Sequence, residues 1–322
     1  MFNPEQIAEA MINKTTSINI TVVLASCITT IILKCMRETI WSRWWHRKFN
    51  KPYKLARPID QGSGVPVILL HGLGRTGNVW QHLVELLKPR NMRVVAFDLL
   101  GFGASPKPQW LNYDIDDHAY AVIYGLQKLH LKEPAIIVGH SMGCLVAVRV
   151  AKLRPDLVRH LVMFEMPLYE GLPEKRRYRL RTDVYFKIYE RIMAFQPGFN
   201  LQNRRLIEKL AKKIAGMEVS AESWQPFVRS LQNTIMKQTA AADIKLLKVP
   251  MDVIYGSFDM LVIRGKPQLF FGKDSSHITT HTIRAKHEIS VRSSQFIVKR
   301  IAAALEGKEV EKAITKAKSN SK

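Results

Sequence analysis

Gly139-His140-Ser141-Met142-Gly143 follows the apolar run Ala135-Ile136-Ile137-Val138 and leads into a small-residue helical pattern from Cys144 to Val148. An apolar strand, a sharp turn and a helix, in that order, are what a nucleophile elbow requires. A serine at the tip of such a turn is held in a strained conformation with its Oγ clear of the sheet, and positions 139 and 143 have no room for a Cβ. The chemistry open to it is nucleophilic attack, provided that a base takes its proton and an acid orients the base. Asp259 ends Gly256-Ser257-Phe258-Asp259, just beyond the apolar strand Val253–Tyr255. Glu165, at the end of Val158–Phe164, is the rival acid. Among the late histidines, His277 precedes the last expected strand and His281 lies within it; His287 alone falls after it.

The elements that must position these groups follow from periodicity. Short apolar runs at Val65–Leu70, Arg93–Phe97, Val158–Phe164, Met251–Tyr255 and Ile278–Ile283 read as strands, with the elbow strand between the second and third. Helical spacing fills the intervals at Val79–Leu87, at Asp116–Leu129, from the elbow to about Leu153, and from Ser293 to Leu305. Buried strands alternating with helices predict an α/β fold, a mostly parallel sheet covered by helices on both faces. Residues 167–247 break the alternation with helical patterns and no convincing strand. They read as a helical cap over the carboxyl edge of the sheet, where ligands bind in open parallel sheets. Between Leu168 and Pro250 the cap carries sixteen basic and eight acidic residues, densest at Lys175–Arg181. That charge serves a partner or merely solvates an exposed face. The core is then 58–166 with 248–306, residues 51–64 are a linker rich in Pro and Gly, and 307–322 are a charged tail.

The chain has 322 residues, 47% hydrophobic and 24% charged, and a formal net charge of +22. Such a surface attracts anionic lipid, nucleic acid or acidic substrates; no nucleic-acid motif accompanies it, so nucleic acid is not expected as a partner. Ile18–Leu33 is uncharged, but sixteen helical residues span about 24 Å against a hydrocarbon core of about 30 Å. Met36 and a snorkelling Lys34 extend the run. Trp41, Trp44 and Trp45 among Arg37, Arg43, Arg47 and Lys48 form an interfacial belt. Eight basic residues and one acid lie between Lys34 and Arg57, against one base and two acids before Lys34. This asymmetry predicts a membrane anchor within residues 1–57 and a globular part on the cytoplasmic side. An interfacial helix, a cleaved signal and a buried core helix are the competing readings of the same stretch. Three cysteines describe no disulfide framework, and no cluster with metal-ligand spacing is seen, so neither metal nor organic cofactor is expected. Oligomeric state is not legible.

With these motifs in order, the chain resembles the α/β-hydrolase superfamily over roughly residues 60–306, specifically its capped esterase, lipase and carbon–carbon hydrolase branch. The resemblance implies Ser141 as nucleophile, Asp259 as acid and His287 as base. It matches His71-Gly72-Leu73-Gly74 to the oxyanion loop, so that the backbone N–H groups of Leu73 and Met142 receive the oxyanion. Asp98 to Ser105 matches a structural turn of the family. His71 and Trp80 are the pocket candidates, though a buried structural histidine and a core tryptophan are their plainer readings. Lys286 stands where the family often has glycine, and Arg75-Thr76-Gly77 differs from the Gly-Pro-Gly of ring-cleavage hydrolases. A serine at the elbow argues against dehalogenases and epoxide hydrolases, which place aspartate there. The expected activity is cleavage of a small-molecule or lipid-like carboxylic ester. Acyl transfer, carbon–carbon hydrolysis and a catalytically silent binding module are the alternatives.

Overall fold

A computed structural model describes residues 22–30, 44, 46, 52–169, 183–184, 186–191, 194, 209, 217–259, 261–262 and 275–319. The chain divides into two compact units, Met1–Lys51 and Pro52–Lys322.

In the larger unit, β1 (Ile59–Gly62), β2 (Val65–Leu70), β3 (Met92–Phe97), β4 (Ala135–His140), β5 (Val158–Phe164), β6 (Met251–Gly256) and β7 (Ile278–Ile283) form one sheet. Their order is β1-β3-β2-β4-β5-β6-β7. Only β1 runs antiparallel, pairing Ile59 with Ala96. This strand lies inside the expected linker. As an edge strand it pairs on one side and only half-buries alternate residues, so four residues of mixed polarity carried no strand signal.

Successive residues of the central strands point to opposite faces, and each face has its own core. Val67, Leu69, Ile136, Val138, Val162 and Phe164 belong to one; Ile68, Leu70, Ile137, Leu161 and Met163 belong to the other. Helices α1 (Gln81–Leu87) and α6 (Val291–Ser319) cover the first face through Leu83, Leu87, Ile297 and Ile301. Helices α2 (Ile115–Lys128) and α3 (Met142–Leu153) cover the second through Val122, Leu126, Leu145 and Val148. Asp114 starts α2 by accepting the N–H groups of Asp116 and Asp117 at 3.0 and 2.9 Å, which satisfies two donors that the helix itself leaves open.

Of the expected cap, residues 217–247 hold α4 (Trp224–Ser230), a π-helical stretch (Leu231–Met236) and α5 (Ala240–Lys245). The basic run Lys175–Arg181 lies outside the described residues. Helix α6 continues to Ser319, well past the end expected at Leu305; Ala, Glu and Lys dominate this extension and are good helix formers. Residues 22–30 are helical and exposed, while 18–21 and 31–36 of the expected anchor lie outside the described residues. Among the described residues, no helix is long and apolar enough to cross a membrane. Cys27 is exposed and Cys144 buried, both as free thiols.

Buried Asp252 on β6 joins three strands and a helix. It accepts from His160 Nε2 of β5 at 2.9 Å and His281 Nε2 of β7 at 2.7 Å, and pairs with Arg300 Nε of α6 at 3.0 Å. Burial works against its charge, but the His160 and His281 hydrogen bonds and the Arg300 charge outweigh it and hold the carboxyl below its ordinary value. A carboxylate held low contributes stability that is complete above the unfolded value and is lost as pH falls through the folded one. Asp252→Ala is therefore expected to lose about 3 kcal/mol in urea unfolding at pH 7. The difference from wild type should shrink below about pH 4.

Candidate active site

Strand β4 ends at His140, and α3 begins at Met142, so a single residue makes the turn between them. That residue, Ser141, has φ 51° and ψ −120°, a conformation that costs an L residue about 1–3 kcal/mol. Its N–H donates to the Phe164 carbonyl at 3.0 Å, and its own carbonyl accepts from Cys144 N–H at 2.9 Å. A Cβ on Gly139 would lie 2.8 Å from the Cys144 backbone, and one on Gly143 would lie 2.7 Å from the His71 carbonyl oxygen. Both glycines are therefore demanded by close approach.

His287 follows β7 and donates from Nδ1 to Asp259 Oδ2 at 2.7 Å. The second oxygen of Asp259 accepts from Leu261 N–H at 2.6 Å. Burial would raise the Asp259 carboxyl, yet hydrogen bonds from His287 and Glu165 bring it down to about 2. With Nδ1 donating to a carboxylate, Nε2 of His287 is the basic nitrogen. His287 and Ser141 line the same cavity, of about 550 Å³. Gly72 and Leu73 form part of its rim, and a Cβ on Gly72 would stand 3.1 Å from that of Ser141. The loop expected to carry the oxyanion donors thus runs alongside the serine. Met142 is the first residue of α3, so its N–H has no acceptor within the helix. Ile188, Met217, Phe227, Leu231, Ile235 and Leu261 make the walls apolar.

The two expected pocket residues lie elsewhere. His71 is fully buried, donates from Nδ1 to the Gly72 carbonyl at 2.8 Å and accepts at Nε2 from Leu99 N–H at 2.8 Å. Burial lowers its pKa to about 4, so it is neutral and braces the oxyanion loop against the turn after β3. Trp80 is fully buried in the core under α1, with its ring edge-on to His140 at 6.4 Å. Neither lines the cavity.

His281, a rival base, is bonded to Asp252 instead. Glu165, the rival acid, lies beside Asp259. His140 is a buried structural histidine beside the turn, as its place in the sequence suggests, but its partner was not legible there. Its Nε2 donates to the His287 carbonyl at 2.8 Å, its ring stacks on Phe164, and burial keeps it neutral by lowering its pKa to about 3. It tethers the His287 loop from behind. Among the described residues, Glu165, Asp259 and His287 bring possible metal-ligand atoms within 4.8 Å of one another. Asp259 already receives the Nδ1 hydrogen bond of His287, and an ion there would break that bond.

A hydroxyl on a strained turn, an imidazole held by a buried carboxylate and open N–H groups beside an apolar cavity can perform acyl transfer. Comparisons with known proteins bear on the fold family. A family profile described as alpha/beta hydrolase fold matches residues 65–263. The chain is 40% identical over 219 residues to the AB hydrolase superfamily protein YisY of Bacillus subtilis, covering 63% of this chain and 77% of that one. It is 33% identical over 126 residues to a probable lysophospholipase, BODYGUARD 4, of Arabidopsis thaliana, spanning 39% of this chain but only 29% of that protein. A thermophilic esterase from Thermogutta terrifontis superposes with a TM-score of 0.58 at 22% identity, covering 78% of this chain and 93% of that one; at that identity the likeness is one of fold.

Strain at the elbow makes a measurable prediction. Ser141→Gly relieves the positive φ but adds chain entropy to the unfolded state, so the net expected effect is a gain of about 1 kcal/mol. Urea unfolding that shows a loss instead would mean that the turn is not strained.

Proposed function

The chain belongs to the alpha/beta hydrolase fold family, and from that premise we propose that it is a serine hydrolase cleaving carboxylic esters with an apolar acyl group. The reading is carried by the 2.7 Å bond from His287 Nδ1 to buried Asp259, on a histidine that shares its cavity with the strained Ser141. Ser141 Oγ adds to the ester carbonyl while His287 Nε2 takes its proton. Asp259 remains ionised and stabilises the imidazolium. The N–H groups of Leu73 and Met142 receive the oxyanion, for which one donor is worth about 3 kcal/mol. The intermediate collapses, expelling the alcohol, which takes the proton from His287. Water then adds to the acyl-enzyme with His287 again as base, and the acid leaves with Ser141 restored.

The cavity bears on the substrate. Its volume lies within the common range for ligand sites, and its walls are apolar side chains from the cap and the neighbouring loops. Arg75 on its rim is paired with Glu288. This lining suits a lipid-like acyl chain better than a charged one. Ser141→Ala is expected to abolish fluorophosphonate labelling and to lower kcat across an ester chain-length series by about 10⁴-fold or more. Labelling that persists in that variant would overturn the assignment, and product analysis with alcohol acceptors separates hydrolysis from acyl transfer.

A second reading concerns location. We propose that the segment around residues 18–36 holds the protein at a membrane, with the catalytic unit on the cytoplasmic side. Support comes from residues 22–30, helical with Val22, Val23, Leu24 and Ile28 exposed. The hydroxyls of Thr29 and Thr30 donate to the carbonyls of Ala25 and Ser26, at 2.7 and 2.8 Å. Bonded back in this way, they present less polarity to lipid than their names suggest. Leu24→Arg with Ile28→Arg, each substitution costing about 3 kcal/mol at a bilayer centre, is expected to move the full chain from the membrane pellet to the soluble fraction. A wild-type chain already found there would end this reading.

A further inference from the structure

We infer that Glu165 and Asp259 form a proton-sharing carboxyl pair behind His287, in which Glu165 carries the proton and acts as a positioning residue for Asp259. The inference deepens the serine-hydrolase reading and rests on it for its kinetic consequences; the pair itself is a matter of geometry.

Glu165 is the first residue after β5 and is completely buried. Its φ is 54°, in the left-handed region that a long side chain seldom occupies. Its N–H donates to the Ile254 carbonyl at 2.9 Å, so the strained residue is pinned to the neighbouring strand. Oε1 accepts from Gly256 N–H. A Cβ at position 256 would lie 2.5 Å from that oxygen, so the carboxyl fits only because Gly256 has none. The carboxyl lies beside that of Asp259, and a hydrogen bond from Glu165 is among the causes that hold the Asp259 carboxyl low. Atoms of Glu165, Asp259 and His287 all fall within 4.8 Å of one another.

Two buried carboxyls that share a hydrogen bond hold a proton between them, since two charges at that separation repel strongly in a poorly solvated site. Their other partners decide where it resides. Asp259 receives His287 Nδ1–H and Leu261 N–H, and through His287 it faces a cation during each turnover. Glu165 receives Gly256 N–H and faces the Cys144 thiol of α3 and the Tyr255 hydroxyl of β6, both kept neutral by burial. Further out, His140 is neutral, and Arg75 and Glu288 stand paired at the cavity rim. Charge therefore settles on Asp259, and Glu165 donates to it. Glu165 does not line the cavity, so it acts on the reaction only through Asp259.

Glutamine at 165 keeps both bonds, its carbonyl accepting from Gly256 and its amide donating to Asp259. Leucine keeps the volume and removes both. Glu165→Gln is expected to retain kcat within about threefold. Glu165→Leu is expected to lose about 10–100-fold in kcat, with KM little changed. Losing a donor makes the Asp259 carboxylate easier to protonate, so the acid limb of kcat/KM moves to higher pH in Glu165→Leu and stays in place in Glu165→Gln. A purely structural role would lower stability without separating the two pH profiles. Equal impairment of both variants, or a leucine variant with wild-type kcat and pH profile, overturns the inference.

Infrared spectroscopy of the full chain supplies a readout independent of folding losses in the leucine variant. At pH 8, where Asp117 is ionised even though burial pushes its carboxyl up to about 6, a protonated-carboxyl band that vanishes in Glu165→Gln supports the pair. Its absence from the wild type overturns it. Fluorophosphonate labelling of the wild type keeps the two readings apart: an unlabelled wild type sinks the hydrolase assignment, while the infrared band still decides the carboxyl pair.

Discussion

Parallel pairing along one sheet edge is the constraint on which the site depends. Strands β4, β5, β6 and β7 lie side by side in that order. Gly139 pairs with Met163 and His140 with Phe164, Phe164 with Ile254, and Gly256 with Ile283. Each strand delivers one group of the candidate site just past its carboxyl end: Ser141, Glu165, Asp259 and His287. The ladder continues one step into these loops through Ser141 N–H to Phe164, Glu165 N–H to Ile254 and Ser257 N–H to Ile283. Backbone hydrogen bonds, more than side-chain contacts, therefore set the lateral spacing of the chemistry.

This edge is unfavourable for folding taken alone. It holds two non-glycine residues at positive φ, Ser141 and Glu165, and the buried charge of Asp259. Each is worth a kilocalorie or more against the folded state. The opposing contribution lies elsewhere, in strands buried on both faces and in helices that cover each face with its own apolar core. The scaffold's stability lets strain persist where reactivity requires it, and His140 shows the coupling directly. Held neutral in the core between Phe164 and Trp80, it fixes the loop that carries His287.

Residues 217–247, part of the expected cap, complete the cavity from the other side and are bonded to the loop at Gly74 and Thr76. Glu218 N–H donates to the Gly74 carbonyl at 2.7 Å, and Thr76 Oγ1 donates to the Glu218 carboxylate at 3.0 Å. Phe227 and Met217 lie where a side chain at Gly74 would otherwise stand. The apolar walls and the loop proposed to carry the Leu73 oxyanion donor are thus held together by one shared contact. In the proposed mechanism, substrate binding and charge stabilisation are therefore mechanically linked.

The order of elements, the parallel sheet and the elbow at Ser141 were legible in the amino-acid sequence, because apolar runs and glycine spacing report local backbone demands. Asp259 and His287 could be nominated there by their places after strands. The edge strand β1 could not be read, since pairing on one side leaves too little apolar pattern in four residues. His71 and Trp80 were offered as pocket candidates with core burial as their plainer reading, and burial is what packing gives both. Glu165 stood as a rival to Asp259, whereas in three dimensions the two carboxyls are neighbours on one histidine. Sequence determined which residues follow which strand, because that is set by local periodicity. Which of those residues touch was decided by strand order and register, which arise from contacts between segments far apart in the chain.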